Sequence, residues 1–262
     1  MRESSKRTVP AAFSYPGHGR NARIGIAICH GFTGSPLSVM PWALHLAEQG
    51  FAVSVPLLPG HGTDWRQLAR SGWREWAGAF ETAYQELAAR TDTCYVAGLS
   101  MGGAVALRTA SRHQVAGVAV VNPGLSFYDP RIRIVGILKY LRPTTLPIVE
   151  TNPTAATTDD GDYTQTPLAA VHQLKKLFAA ARRGLPRVTA PVLVFKSATD
   201  DVVPPSSLAM IRHRLGSADL EVVPLPNSGH VATLDNDAPL IFELSSRFFH
   251  AHALHRVSSE TS

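Results

Sequence analysis

The sequence predicts an α/β fold: a mostly parallel central sheet with helices on both faces and a small helical cap inserted before the strand at Pro191–Phe195. Three observations carry that prediction. Short β-branched runs alternate with stretches of helical periodicity, as strands joined by crossover helices do. A serine flanked by glycines stands where one apolar run meets a helix-like one, and a long segment at about residues 124–187 breaks the alternation. A chain of 262 residues is near the upper size of one α/β domain. The expectation is therefore a single domain over 1–262, with its core at about 20–123 and 188–252 and the cap at 124–187.

The elements follow in order. RIGIAICHG (Arg23–Gly31) is an apolar run closed by a glycine, as a strand covered on both faces requires. GFAVSVPLLPGHG (Gly50–Gly62) runs from an apolar stretch into turn residues. TCYVAGLS (Thr93–Ser100), VAGVAVVNP (Val115–Pro123), PVLVFKS (Pro191–Ser197) and LEVVPLP (Leu220–Pro226) complete the strands. Helices are predicted between them at Pro41–Gln49, Trp65–Arg90, Met101–His113, Ser206–Leu215 and Pro239–His250. In the second of these, Leu68, Trp73, Trp76, Phe80, Ala83, Tyr84 and Leu87 recur at helical spacing and read as core, with an interruption at Ser71-Gly72. The long segment carries YDPRIRIVGILKYLRPTTLPIV, an acidic loop at Thr157–Tyr163 and the helix-like LAAVHQLKKLFAAARRG.

Bulk properties narrow the function classes. Hydrophobic residues at 45% and charged ones at 17% suffice for a sizeable core and argue against disorder. Cys29 and Cys94 lie in apolar runs and read as reduced core thiols. In a parallel sheet one would end its strand and the other begin its own, too far apart to bridge. The N-terminal MRESSKRTVPAAF is basic with no apolar stretch after it, and no run approaches the ~18 residues of a membrane span. A cytoplasmic protein is expected, with polar, frayed ends at Met1–Thr8 and about His255–Ser262. The net charge of +5 raises the question of nucleic acid, but residues 124–187 hold nine basic against five acidic residues, +4 of that total. Charge confined to one segment, without interleaved aromatics, argues against nucleic acid. It leaves a solvated cap face, or one that meets anionic lipid or an acidic substrate.

GLSMG (Gly98–Gly102) fits G-x-S-x-G, with an apolar strand running in and the small-residue helix MGGAVALRTASRH running out. A turn this sharp strains its central residue, and the glycines leave the room a side chain would deny. Ser100 would be exposed above the carboxyl ends of the strands, with a helix N-terminus beside it to stabilise negative charge. A serine hydroxyl needs a base, and the base an acid to orient it. Among 11 histidines, His230 in PLPNSGHVATLD falls directly after the last predicted strand, on the same edge as Ser100. His113, His213, His250, His252 and His255 read as surface residues, and His172 in the cap is a weak rival. KSATDDVVP follows the strand Pro191–Phe195 and offers Asp200 and Asp201. An oxyanion hole needs two backbone donors. The N–H of Met101 is one, and Phe32 in HGFTGSP would present the other, with His30 as a structural hydrogen-bonding residue.

CHGFTGSP, LLPGHGT, VAGLSMGG, TDDVVP and NSGHVATLD, in that order, resemble the bacterial carboxylesterase and monoacylglycerol lipase group of the α/β-hydrolase superfamily. The resemblance runs from about Ile24 to Phe249 and is weakest in the cap. It implies Ser100 as nucleophile, His230 as base and Phe32 and Met101 as oxyanion donors. The family's D-x-V/I-x-P loop puts Val202-Val203-Pro204 in register with Asp200, which selects Asp200 over Asp201 as the acid. The chain order Ser, Asp, His is the family's, and Asp235 comes too late for it, reading as a brace of the histidine loop. No cofactor and no metal are implied, and no H-E-x-x-H or cysteine cluster suggests one.

The implied activity is hydrolysis of small acyl esters, most of all monoacylglycerols, through an acyl-enzyme on Ser100. Leu125, Phe127, Ile134, Ile137, Leu138, Leu141, Ile148 and Val149 would line an acyl tunnel. The same triad could serve a thioesterase, a perhydrolase or a carbon–carbon bond hydrolase, or persist in a non-catalytic small-ligand receptor. A dehalogenase or epoxide hydrolase would carry Asp in place of Ser100.

Overall fold

The computed structural model describes residues 11–130, 132, 135, 144–145 and 165–259. Seven strands form the central sheet: β1 (Phe13–Tyr15), β2 (Ile24–Cys29), β3 (Ala52–Val55), β4 (Thr93–Leu99), β5 (Val118–Val121), β8 (Val192–Ser197) and β9 (Leu220–Leu225). Their order is β1-β3-β2-β4-β5-β8-β9, so β4 has three strands on either side. Every pairing is parallel except at the edge, where β1 runs antiparallel to β3 with Phe13 opposite Val55. A second sheet of two short strands pairs β6 (Thr144–Thr145) with β7 (Thr166–Pro167).

The helices are α1 (Met40–Glu48), α2 (Trp65–Arg70), α3 (Trp73–Ala88), α4 (Met101–Ala110), α5 (Leu168–Gly184), α6 (Ser206–Arg214) and α7 (Ala238–Ser259). Side chains alternate across the strands, so every strand of the central sheet except the edge strand β1 feeds two cores. Ile26 and Ile28 of β2 join Trp42 and Leu46 of α1 and Phe248 and Phe249 of α7. Ala27 and Cys29 join Trp76 and Phe80 of α3, Val105 of α4 and Leu177 of α5. Burial on both faces is why these strands read as unbroken apolar runs rather than as alternating ones.

Local chemistry sets the boundaries. The stretch 65–90 is two helices, broken where the sequence places the break. Asp64 caps α2 by accepting from the Arg66 and Gln67 amides at 2.7 and 3.2 Å, and Glu75 Oε2 accepts from the Gly72 amide at 2.6 Å to start α3. Strand β1 escapes sequence reading because three residues are too few for a periodic signal. It pairs along the outer edge of β3, which would otherwise be open. Helix α7 continues to Ser259, past the predicted end at His250 and into the tail expected to fray. Cys29 and Cys94 are free and buried. Gly25 and not Cys29 faces Cys94 across the sheet, so the thiols are four residues out of register, about 13 Å at the rise of a strand. Burial pushes both thiols up, Cys94 to about 12.

Within 124–187, the predicted helix LAAVHQLKKLFAAARRG forms as α5, which buries Val171, Leu174, Leu177 and Phe178 in the core shared with α3 and α4. The acidic loop at 157–163, and Ile134, Ile137, Leu138, Leu141, Ile148 and Val149, lie outside the described residues.

The docking of α7 depends on an aromatic cluster. The Phe249 ring is fully buried, 4.9 Å from Tyr95 and 6.3 Å from Phe51 between centroids. Phe249→Ala is expected to cost about 3–5 kcal/mol in chemical denaturation. A loss below about 1 kcal/mol would show that α7 is not held through this ring.

Candidate active site

The site begins at the turn from β4 into α4. Ser100 adopts φ 57 and ψ −117, a left-handed backbone that a β-carbon resists. Glycine makes the turn possible. A Cβ on Gly98 would lie 2.4 Å from the Gly102 carbonyl carbon, and one on Gly102 would lie 2.1 Å from the Cys29 oxygen. The serine backbone is fixed from both sides: its N–H donates to Val121 O at 2.9 Å, and its carbonyl accepts from the Gly103 and Gly124 amides at 3.0 Å each. Met101 is the first residue of α4, so its N–H has no carbonyl within the helix to donate to.

His230 lies in the loop after β9. Its Nε2 is 2.8 Å from Ser100 Oγ and its Nδ1 is 2.9 Å from Asp200 Oδ1. A carboxylate only accepts, so Nδ1 carries the proton and Nε2 is left to accept from the serine hydroxyl. Asp200 follows β8, with its side chain 1% exposed. Its Oδ1 also accepts from the Val202 and Val203 amides at 3.0 and 2.9 Å, while Oδ2 is paired with the Lys196 ammonium. Burial pushes this carboxyl up, but His230, Lys196 and the Val203 amide outweigh it and hold the group at about 2. Asp201, the alternative in the sequence, is exposed and lines the cavity. Asp235 braces the histidine loop by accepting from the Gly229 amide at 2.8 Å.

Phe32 stands in the loop after β2, its ring 5.9 Å from Trp76. His30 orders that loop. It is fully buried, and burial lowers it to about 4, so the ring is neutral. Its Nε2 accepts from the Leu58 amide at 3.2 Å, which leaves Nδ1–H to donate to Gly31 O at 2.9 Å. The Gly31–Phe32 peptide is thereby pinned, with the Phe32 N–H on its opposite side. His61 lies beneath it, 5.2 Å from His30 and 5.3 Å from Trp76, and burial together with the nearby His30 pushes it well down.

A cavity of about 450 Å³ opens at Ser100 and His230. Phe127, Leu168, Val171, Leu174 and Phe178 form its apolar wall, with Phe127 stacked on Phe178 at 4.8 Å. Thr33, Ser126, Tyr128, Asp129 and Asp201 also line the cavity, with the Tyr128 hydroxyl donating to Asp200 O at 3.2 Å. Leu125, expected in an acyl tunnel, is instead fully buried in the core and does not line the cavity; its amide donates to the buried Ser207 hydroxyl at 3.1 Å.

The remaining histidines divide differently from the sequence reading. His213 is exposed, but His113, His250 and His252 are half-buried. Their rings cover aromatic side chains: His113 lies 5.5 Å from Tyr84, His250 4.7 Å from Phe51 and His252 4.5 Å from Phe248. His172 is half-buried on α5, and the His255 side chain lies outside the described residues. Lys196 is a residue the sequence reading missed. The available signal was a lysine in the otherwise apolar VLVFKS, next to the strand's carboxyl end. Among the described residues, no group of three or more His, Cys, Asp or Glu could hold a metal ion, and no helix is long and apolar enough to cross a membrane.

Comparison with known proteins follows the same lines. The model of the alpha/beta hydrolase family matches residues 26–241. The chain is 35% identical over 239 residues to the thermostable monoacylglycerol lipase of Bacillus sp. (strain H-257), covering 91% of this chain and 95% of that protein. It is 23% identical over 239 residues to the carboxylesterase of Bacillus subtilis (strain 168), with the same coverages of 91% and 95%. A solved structure from the metagenome-derived lipolytic enzymes LipS and LipT superposes with a TM-score of 0.86 at 34% identity, covering 93% of this chain and 98% of that one.

The Asp200 contacts predict a pH dependence of stability. A carboxyl lowered on folding stabilises fully above its unfolded value near ~4 and loses that contribution as pH falls through its folded value. Asp200→Asn removes the group, so its stability gap from wild type is expected to narrow between about pH 4 and pH 2 in chemical denaturation. The expected narrowing is on the order of 2 kcal/mol. A gap that stays constant over this window would show that these contacts do not hold the carboxylate ionised.

Proposed function

This chain belongs to the alpha/beta hydrolase family, and on that premise we propose that it hydrolyses carboxylic esters through an acyl-enzyme on Ser100, with monoacylglycerols as its main substrates. The observation that carries the reading is the relay Ser100–His230–Asp200, with links of 2.8 and 2.9 Å on a strained turn facing an apolar cavity. Ser100 Oγ attacks the ester carbonyl while His230 Nε2 takes its proton, and Asp200 steadies the imidazolium that forms. The Phe32 and Met101 amides hold the oxyanion. Collapse of the tetrahedral intermediate breaks the ester C–O bond, and His230 gives its proton to the departing alcohol. Water then takes the alcohol's place. His230 deprotonates it, the hydroxide adds to the acyl carbonyl, and Ser100 leaves with the proton as the fatty acid is released.

The substrate reading draws on the cavity and the relatives together. Its aromatic and aliphatic wall suits an acyl chain, and its hydroxyl and carboxylate groups suit an alcohol that keeps free hydroxyls. Relatives named as a monoacylglycerol lipase and a carboxylesterase support that class. We assign residues 124–187 as a cap over the site, of which α5 forms one wall. Exposed Lys176 and Arg183 on α5 support peripheral docking of this cap on anionic lipid. The free, buried Cys29 and Cys94 are in keeping with a cytoplasmic enzyme.

Initial rates on p-nitrophenyl esters of increasing chain length and on mono-, di- and triacylglycerols test the reading. Wild type is expected to favour monoacylglycerols. Ser100→Ala is expected to lose at least about 10⁴-fold in kcat while unfolding at the wild-type temperature. A folded variant that retains more than a few per cent of the rate would remove Ser100 as nucleophile. For the cap, hydrolysis on anionic vesicles is expected to exceed that on neutral ones at low salt and to converge with it as salt screens the charges; equal rates at low salt would remove the docking role.

A further inference from the structure

We propose that Asn122 is a positioning residue of this site: its buried amide ties the strand that leads to Asp200 to the loop that carries His230. The inference rests on the roles given above to Ser100, Asp200 and His230. Asn122 directly follows β5, the strand between β4, which ends at Ser100, and β8, which leads to Asp200. It is fully buried and holds φ at 45, in the left-handed region that asparagine tolerates better than most residues.

Each polar atom of the side chain has a defined partner. Oδ1 accepts from the Ser197 amide at 2.9 Å, and Nδ2 donates to Ser197 Oγ at 2.8 Å and to His230 O at 2.8 Å, with Gly229 O a longer contact at 3.3 Å. The backbone N–H donates to Phe195 O at 2.9 Å, anchoring the residue to β8. The orientation of the amide follows from its partners: the Ser197 N–H only donates and the His230 carbonyl only accepts. Only a planar group with an acceptor on one side and donors on the other serves both.

The consequence concerns the imidazole. Asp200 fixes the His230 ring through Nδ1, and Asp235 and Thr199 hold the preceding loop at the Gly229 amide and the Ser228 carbonyl, but these contacts stop short of the His230 carbonyl itself. Asn122 holds that main chain at its carbonyl, so that Nε2 meets Ser100 Oγ at hydrogen-bond distance. Asn122 is not among the residues lining the cavity, so its effect falls on the rate of acyl transfer and not on substrate affinity. A shift of about 1 Å in a catalytic group costs about 10²-fold in rate.

The test compares Asn122→Gly with wild type. Glycine accepts the positive φ without strain and removes only the amide. Reactive Ser100 is titrated with a fluorophosphonate, and kcat and KM on a p-nitrophenyl ester are expressed per titrated site. The expected result is full titration at long times, kcat per site lowered about 10²-fold and KM within about twofold. A purely structural asparagine would lower the titrated fraction and leave kcat per site intact, and that outcome overturns the proposal. Should Asn122→Gly fail to fold, Asn122→Ala decides by the same criterion, since it too lacks any group that could donate to His230 O. Failure of both to fold assigns the residue to folding and overturns the positioning role. Ser100→Ala measured alongside separates the two levels. Turnover that survives in it overturns the reading of the site and this inference with it, whereas turnover lost there but kept per site in Asn122→Gly overturns this inference alone.

Discussion

The closeness of α4 to the end of β2 is the constraint on which the rest of the site depends. Helix α4 begins one residue after β4 ends, so Ser100 alone must reverse the chain, and its positive φ is the result. The reversal lays the helix backbone against the neighbouring strand, where a Cβ at Gly102 would stand 2.1 Å from the Cys29 oxygen. The loop after β2 is thereby brought beside the serine: even a Cβ on Gly31 would be 3.7 Å from that of Ser100. The Phe32 and Met101 amides come from separate elements. At Gly31 and Gly102, where those elements meet, no side chain stands between them, which is the close approach that the proposed oxyanion hole requires.

Around this fixed point lies a charged group in apolar surroundings. A carboxylate taken out of water destabilises the fold unless its oxygens are all engaged. Asp200 meets that condition with two backbone amides and the imidazole on Oδ1 and an ammonium on Oδ2. Lys196 therefore has a structural reason to interrupt the apolar run of β8. It also donates to Val203 O at 3.0 Å, so one side chain closes the 200–203 loop from within and holds the oxygen that His230 does not use. The carboxylate then has a single orientation, which gives the imidazole a single one.

Sequence reading reached the parts of this arrangement that are local. The Ser100 turn is written in five consecutive residues, with a strand before it and a helix after. His230 was separable from ten other histidines by its place after the last strand. Both signals arise from steric or positional demands on neighbouring residues. Residue type did not separate Asp200 from Asp201, but the register of Val202-Val203-Pro204 did, and its physical basis is the folded turn, in which the Val202 and Val203 amides reach the Asp200 carboxylate. Asn122 and Lys196 went unread because their partners lie elsewhere. Asn122 is 75 residues from Ser197 and 108 from His230, and no pattern in the sequence marks such a contact. The three-residue β1 was unread because its pairing, not its composition, makes it a strand.

Strain is distributed with the same logic. Among the described residues, the non-glycine positions with positive φ are Thr33, Ser100 and Asn122. They follow β2, β4 and β5, three adjacent strands at the centre of the sheet, and all lie at the carboxyl edge. Backbone in this region is unfavourable and persists only where the surroundings over-determine it. The surroundings here are strands in uninterrupted parallel register, with every β4 residue buried between two cores. A strand pinned along its length has no freedom to relax at its end, so strain introduced there stays there. Rigidity of the sheet and precision of the site are thus one property: the packing that makes β2, β4 and β5 featureless apolar runs is what lets the residues after them hold conformations they would not keep alone.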